Sequence, residues 1–305
     1  MPDDIARMQR VIERIDRLPT LPSIVAKLTR LLADSRTANV KEVTTLLSED
    51  QALTAKILRL ANSAYYGFPG QISTLQQAVI LLGFTGVRDV ALSASVIDLF
   101  GATGKQAAIA ELFDVGRFWE HSIGCAAACR LLAAELHAGD PEESFVTGLL
   151  HDIGKLIMVE YLPDEMLQVL RRARTRGETF FEAEKGVELS HAGLARYLID
   201  AWNLPRSISE GVGFHHSIRP RRETAPRAAL VQFADLFTRA RAVGYSGDPF
   251  VPPLDPKAEE ILGLERLDLG AFIARFDEEM LNASVFIDLV RSRERPAPGG
   301  GAPRR

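Results

Sequence analysis

The chain has 305 residues, of which 47% are apolar and 25% charged, and its formal net charge is −4. That composition excludes intrinsic disorder over most of its length and describes an ordinary globular protein with a large core. Mild acidity without long Lys/Arg runs also excludes a strong nucleic-acid binder held by phosphate neutralisation.

In chain order, Met1-Pro2-Asp3-Asp4 places acids where an export signal needs a basic segment, so no export is expected. From Ser23, residues Ile24, Val25, Leu28, Leu31 and Leu32 form one helical stripe; after an Asn39 cap, Val40, Val43, Leu46 and Leu47 form another. Thr74 and Gln77 resemble a capping box ahead of Ala78, Val79 and Leu82, and Gly83 is expected to stop that helix. The uncharged stretch from Gln71 to Val87 is shorter and more polar than the roughly 20 apolar residues of a bilayer span, so no membrane role is expected. Short helices and tight turns are expected through the first hundred residues.

A weak seam lies at Gly101-Ala102-Thr103-Gly104, and a second helical set begins near Leu112. Cys125 and Cys129, one turn apart among alanines, read as small buried hydrophobes, which suits a reducing cytoplasm. Asp140-Pro141-Glu142-Glu143 is a strong helix start. Further helices are expected after Ser190, after Pro205 and from about Ala225 to Arg241. A Pro/Gly-rich surface loop follows from Gly244 to Pro256, then shorter helices to about Val290 and a disordered tail from Arg291. With no alternating strand and no glycine-rich phosphate loop, the fold class is all-α. The seams divide the chain into a lobe over 1–110, a core over 111–245, a C-terminal loop and helices over 246–290 packing on that core, and a tail over 291–305.

All 6 histidines fall between residues 121 and 216. His121 shares a helix face with Phe118, Cys125 and Ala128. His151 and Asp152 sit inside the apolar run Gly148-Leu149-Leu150-His151-Asp152-Ile153-Gly154-Lys155. His191 opens a helix continuing through Leu194, Ala195 and Leu198. His215 lies on the face of Ile208 and Val212, with His216 beside it, and Asp235 stands in an apolar stretch. A single histidine is ordinarily a packed residue with a satisfied hydrogen bond, and His137 is read that way. Asp235 alone has two plain explanations, a salt bridge to an arginine or a face turned to solvent. A metal site explains His121, His151, Asp152, His191, His215, His216 and Asp235 at once.

Imidazole and carboxylate donors suit a divalent transition metal, with iron or manganese favoured over zinc or magnesium, and a carboxylate beside a histidine lets its oxygens bridge two ions. Such a centre attracts phosphate and lowers the pKa of a bound water towards roughly 7. His191, in the first turn of its helix, is expected to stay neutral against the positive dipole end. Asp152 and Lys155 are the catalytic candidates. On a continuous helix Lys155 shares a face with His151, where it holds a phosphate oxygen or protonates a leaving group; the plain reading is a solvated lysine. Arg219, Arg221 and Arg222 form a solvated loop or bind a second phosphate. Arg171, Arg172, Arg174 and Arg176 oppose the negative end of a helix.

The order His121, His151-Asp152, His191, His215-His216, Asp235 resembles the HD superfamily of metal-dependent phosphohydrolases, most closely its HD-GYP and HDOD branches. Upstream, Leu18-Pro19-Thr20-Leu21-Pro22, the segment Leu58 to Gly67, and Ala78 to Gly83 look like the HDOD signature. The resemblance implies a helical bundle core holding the metals, preceded by a smaller helical HDOD lobe. It also implies a bacterial signalling role and the seven residues above as ligands, with Lys155 matching the lysine after the HD pair. After His216 the chain reads Ser217-Ile218-Arg219-Pro220-Arg221-Arg222, without the Gly-Tyr-Pro segment of the HD-GYP branch. Two main functions follow. One is a dinuclear phosphohydrolase or phosphodiesterase acting on a phosphorylated small molecule, a nucleotide or cyclic dinucleotide. The other is a non-catalytic module with a structural or sensory metal, binding a protein signalling partner through a lobe that displays Tyr65 and Tyr66. Di-iron oxygen chemistry, known among HD relatives, is a third.

Overall fold

The structure is a computed structural model and describes residues 19–33, 38–101, 106–187, 190–219 and 221–294. Its regular structure is helical, with no strand among the described residues. The first lobe comprises α1 (Ser23–Ala33), α2 (Val40–Ser48), α3 (Gln51–Ala61) and α4 (Leu75–Phe100). Asn39 caps α2 by accepting from the Glu42 N–H, and Thr74 and Gln77 form the reciprocal capping box of α4. Gly83 breaks the helical path at φ 73°, but as a kink and not a stop. The chain resumes a helix to Phe100 because Val87, Val90, Ala91, Ala94 and Ile97 all find apolar partners. α4 is the one described helix long and apolar enough to cross a membrane, and its apolar residues are mostly buried under α1, α2 and α3.

The second half opens with α5 (Ala107–Ala110), α6 (Val115–Leu136), α7 (Pro141–Leu150), α8 (Ile153–Tyr161), α9 (Pro163–Arg176) and α10 (Phe180–Glu184). It continues with α11 (His191–Ala201), α12 (Arg206–Phe214), α13 (Ala225–Ala240), α14 (Pro256–Leu262), a 3-10 turn at Leu264–Arg266, α15 (Leu269–Asn282) and α16 (Ser284–Glu294). Asp140 caps α7, with Pro141 in its first turn, and Ser190 caps α11. Both cysteines are buried and unpaired.

Buried apolar residues of the first lobe and of α6 to α12 form one contiguous cluster, and a second cluster lies between α6, α13, α14 and α15. α16 packs on both α4 and α6. Its Phe286 ring meets Tyr65 of the first lobe edge-on at 5.4 Å and packs tilted on Phe145 of α7 at 5.3 Å between centroids. Tyr65 is 4% exposed and lies under the Arg130 guanidinium, so it packs the lobes together and is not a displayed surface. The tail expected over 291–305 instead begins as helix, since α16 runs to Glu294; residues 295–305, the seam at 102–104 and Leu18 lie outside the described residues.

Candidate metal centre

Two close helix approaches build the site. At Gly148 of α7 a Cβ would stand 2.7 Å from the Cys125 carbonyl and 2.8 Å from the Ala126 Cα, so only glycine lets α7 lie this close to the alanine-rich α6. His151, at the end of α7, thereby reaches His121, ring centroids 5.5 Å apart. At Gly154 a Cβ would meet the His191 carbonyl at 1.9 Å, so α11 starts directly against α8. The helix is interrupted between α7 and α8, with Asp152 at φ −104° and ψ 8°. Lys155 therefore does not continue a helix from His151, contrary to the spacing argument. Nor is it solvated: its fully buried ammonium donates to Asp152 Oδ2 (2.6 Å) and to the Ser246 carbonyl (3.1 Å).

All seven expected residues converge, and all but the partly exposed His216 are buried. They fall into two groups, each with donor atoms within 4.8 Å of one another: His121, Cys125, His151 and Asp235; and Asp152, His191, His215 and His216. Cys125 was not expected there. Its Sγ lies 3.3 Å from His121 Nε2, and its place one turn after His121 on the inner face was the available signal.

The donors around Asp152, His151 of the first group included, are not all satisfied by protein hydrogen bonds. The Nδ1 atoms of His151, His191 and His215 lie 2.8 Å from the Gly148 carbonyl, 2.7 Å from Glu184 Oε2 and 2.6 Å from the Val212 carbonyl, and donate to them. In a neutral imidazole the other nitrogen then carries a lone pair. The Nε2 lone pairs of His151 and His215 face Asp152 oxygens at 3.3 and 3.9 Å, an arrangement that repels unless a cation lies between, while His191 Nε2 stands 3.1 Å from Asp152 Oδ1. His151 Nε2, His215 Nε2 and Asp152 Oδ1 have no hydrogen-bond partner among the described residues, and His216 Nε2 stands 3.1 Å from His191 Nε2. Donors about 2.0–2.2 Å from one ion stand roughly 3 Å apart, so the spacing fits a shared metal. The first group differs. Asp235 takes both prongs of the Arg239 guanidinium and lies 3.1 Å from His121 Nε2, so the arginine salt bridge expected as its plain explanation is present.

Electrostatics follow burial and neighbours. Burial opposes ionisation of Asp152, but His151 and Lys155 hold its carboxyl well below the usual range; Arg239 and His121 do the same for Asp235. Burial pushes the Cys125 thiol up and, with the neighbouring histidines, lowers His215 to about 3 and His216 well below its usual value. His191 departs from expectation: burial resists its charge, yet Glu184 and Asp152 outweigh burial and the helix dipole and raise it to about 9. Glu184 accepts from both the backbone N–H and Nδ1 of His191, and Asp248 accepts from Arg239 at 2.9 Å and from the Phe180 N–H. Sequence reading missed both acids, which lie in polar stretches without a periodic signal. The four buried carboxylates Asp152, Glu184, Asp235 and Asp248 outnumber the buried cations Lys155 and Arg239, which favours a cation in the centre.

Access is narrow. A cleft of about 210 Å³ reaches His121 between Arg117, Arg239 and the segment Tyr245 to Val251. His137, as expected, lies outside the cluster, in left-handed conformation at the end of α6.

In comparison with known proteins, the chain matches the HDOD domain over residues 18–218. A crystallised HDOD domain protein of unknown function from Geobacter sulfurreducens superposes with a TM-score of 0.77 at 28% identity, covering 95% of this chain and 98% of that one. A crystallised protein from Shewanella amazonensis SB2B, for which a phosphohydrolase role has been proposed, has a TM-score of 0.72 at 23% identity over 92% of this chain and 97% of its own; it shows the fold alone. An uncharacterized protein of Treponema pallidum (strain Nichols) is 24% identical over 245 residues, 75% of this chain and 44% of its own length, so the chain spans less than half of that curated relative. The match over residues 18–218, joined to the helical fold with its buried histidine and aspartate cluster, makes this chain a member of the HDOD family.

Proposed function

We propose that this chain is a cytoplasmic HDOD signal-transduction protein whose buried cluster holds divalent transition metal, iron or manganese before zinc or magnesium, as a structural or sensory centre. His151, Asp152, His191, His215 and His216 would hold one ion, and His121, Cys125 and Asp235 with His151 would hold a second. The observation that carries this reading is the buried meeting of the unpartnered Nε2 atoms of His151 and His215 with the unpartnered Asp152 Oδ1. The donors come from α6, α7, α11, α12 and α13 and the turn before α8, so filling the centre ties those helices together and presents a protein partner with one ordered surface.

A second reading is metal-dependent hydrolysis of a phosphate ester, and the cleft at His121 favours it. The exposed Arg117 lines that cleft and complements a phosphoryl group, whereas the Arg239 guanidinium is already engaged by Asp235 and Asp248. A bound divalent ion supplies Lewis-acid polarisation of a phosphoryl oxygen. At about 210 Å³ the cleft is smaller than the roughly 300–1,000 Å³ of drug-sized ligand sites, which favours a small phosphomonoester over a cyclic dinucleotide. Lys155 serves here by holding Asp152 ionised and oriented, since its ammonium is already engaged.

Metal analysis and thermal unfolding with and without chelator, beside hydrolysis assays on nucleotides, cyclic dinucleotides and small phosphomonoesters, separate the two. The first reading expects manganese or ferrous iron to raise Tm by about 5 °C or more, the gain vanishing in Asp152→Asn, without turnover. Metal-dependent turnover abolished by Asp152→Asn establishes the second. A wild-type chain that takes up no metal overturns both.

A further inference from the structure

At the end of α12 opposite His215 lies a cavity of about 990 Å³, walled by Arg206, Glu210, Arg221, Arg222, Glu223 and Arg227. We propose that it binds a small molecule carrying a diphosphate or longer phosphate chain, at a site separate from the metal centre. Arg206 and His215 are nine positions apart along one helix, about 13 Å at 1.5 Å per residue, so the two sites do not share ligands.

The cavity is built for an anion. Its four guanidinium groups against Glu210 and Glu223 leave the lining at +2 in a chain whose net charge is −4. Glu210 is an organiser more than a neutraliser. Its carboxylate, 2% exposed, accepts from Arg206 Nε (2.9 Å) and Nη2 (2.9 Å), from Arg222 Nη1 (2.5 Å) and from the Thr224 hydroxyl. One buried acid thus fixes two arginines, each with N–H donors to spare, since a guanidinium has five. Arg227 is anchored to Glu143 (2.7 Å) and the Asp140 carbonyl (3.2 Å) and adds field from the floor. Arg221 is exposed and makes no ion pair or hydrogen bond among the described residues. The N-terminus of α12 has no side-chain cap and turns its positive dipole end to the same space.

The shape and charge narrow the ligand class. A concave site of this volume is the size of small-molecule pockets, whereas nucleic acid is held by extended basic surface. The neighbouring Phe214 is covered by the guanidinium groups of Arg196, Arg219 and Arg222 at 5.0, 4.4 and 4.8 Å, so no aromatic face is open for a base to stack on. Recognition therefore runs through phosphates, and two accessible guanidinium groups, on Arg206 and Arg221, match two of them.

Calorimetric titration of inorganic pyrophosphate into the full chain tests this, with inorganic phosphate as comparison. Saturable 1:1 binding is expected, with pyrophosphate at least about tenfold tighter than phosphate, weakened about tenfold in Arg221→Glu and in Arg206→Ala, and unchanged in Asp152→Asn. Both arginines are exposed at the surface, so circular dichroism should show wild-type helicity in each variant. No binding by the wild type at millimolar pyrophosphate overturns the proposal, as does wild-type affinity in both arginine variants. Binding that disappears in Asp152→Asn would place pyrophosphate at the metal centre and also overturn it.

Discussion

Glu184 Oε2 receives two hydrogens from one residue, the backbone N–H and the ring Nδ1–H of His191, and so fixes which His191 nitrogen faces Asp152. Carboxylates behind metal-binding histidines typically carry ten- to a hundredfold in metal affinity. Glu184→Gln keeps the hydrogen-bond reach and loses the charge, so metal titration should show weakening in that range with helicity retained; unchanged affinity would remove Glu184 from the centre. The seven histidine and aspartate positions were legible because polar residues on apolar helical faces stand out one by one. Cys125 was not, since a cysteine among alanines reads as core. The Asp235–Arg239 pair was visible as an i,i+4 spacing on α13, but spacing alone does not say which faces converge. The dipole argument for His191 failed because a carboxylate seven residues upstream folds back onto it.

Helix starts were legible as local chemistry: Asn39, Thr74 with Gln77, Asp140 with Pro141, and Ser190 all cap as their hydrogen-bonding capacity dictates. The course of α4 beyond Gly83 was not, because whether a chain resumes a helix after a kink depends on the partners it meets. That helix carries Asp89, buried and paired with Arg88 at 2.7 Å, with one carboxylate oxygen unpartnered among the described residues. Burial outweighs Arg88 and raises Asp89 from 3.8 to about 6. The folded state thus holds this proton more tightly than the unfolded chain. Its contribution to stability is complete below about pH 4 and lost as pH rises through 6. Asp89→Asn should be more stable than wild type at pH 8, on the order of 2 kcal/mol, and equal to it near pH 4. Denaturant unfolding at the two pH values checks the sign, and a gain at pH 4 alone would reverse the assignment.

Across the whole molecule the two lobes share one apolar cluster, and α16 closes the junction through Phe286, which is fully buried against Tyr65 and Phe145. Phe286→Ala should cost about 3–5 kcal/mol in equilibrium unfolding, as buried Phe truncations do. A loss below about 1 kcal/mol would mean the lobes hold without it. The all-helical class and the convergence of distant histidines were readable from periodicity and resemblance, whereas the contact of α16 with both lobes was not, because Phe286 carries no signal of which surface it will meet. On the function proposed above, a cation holds the rings around Asp152. Anomalous diffraction from crystals of the full chain at the iron and manganese edges measures this directly. The expected result is a peak within about 2.0–2.2 Å of Asp152 and the His151, His191 and His215 Nε2 atoms, with a second beside His121 and Asp235. Well-ordered rings with no anomalous peak, bridged only by water, would contradict it.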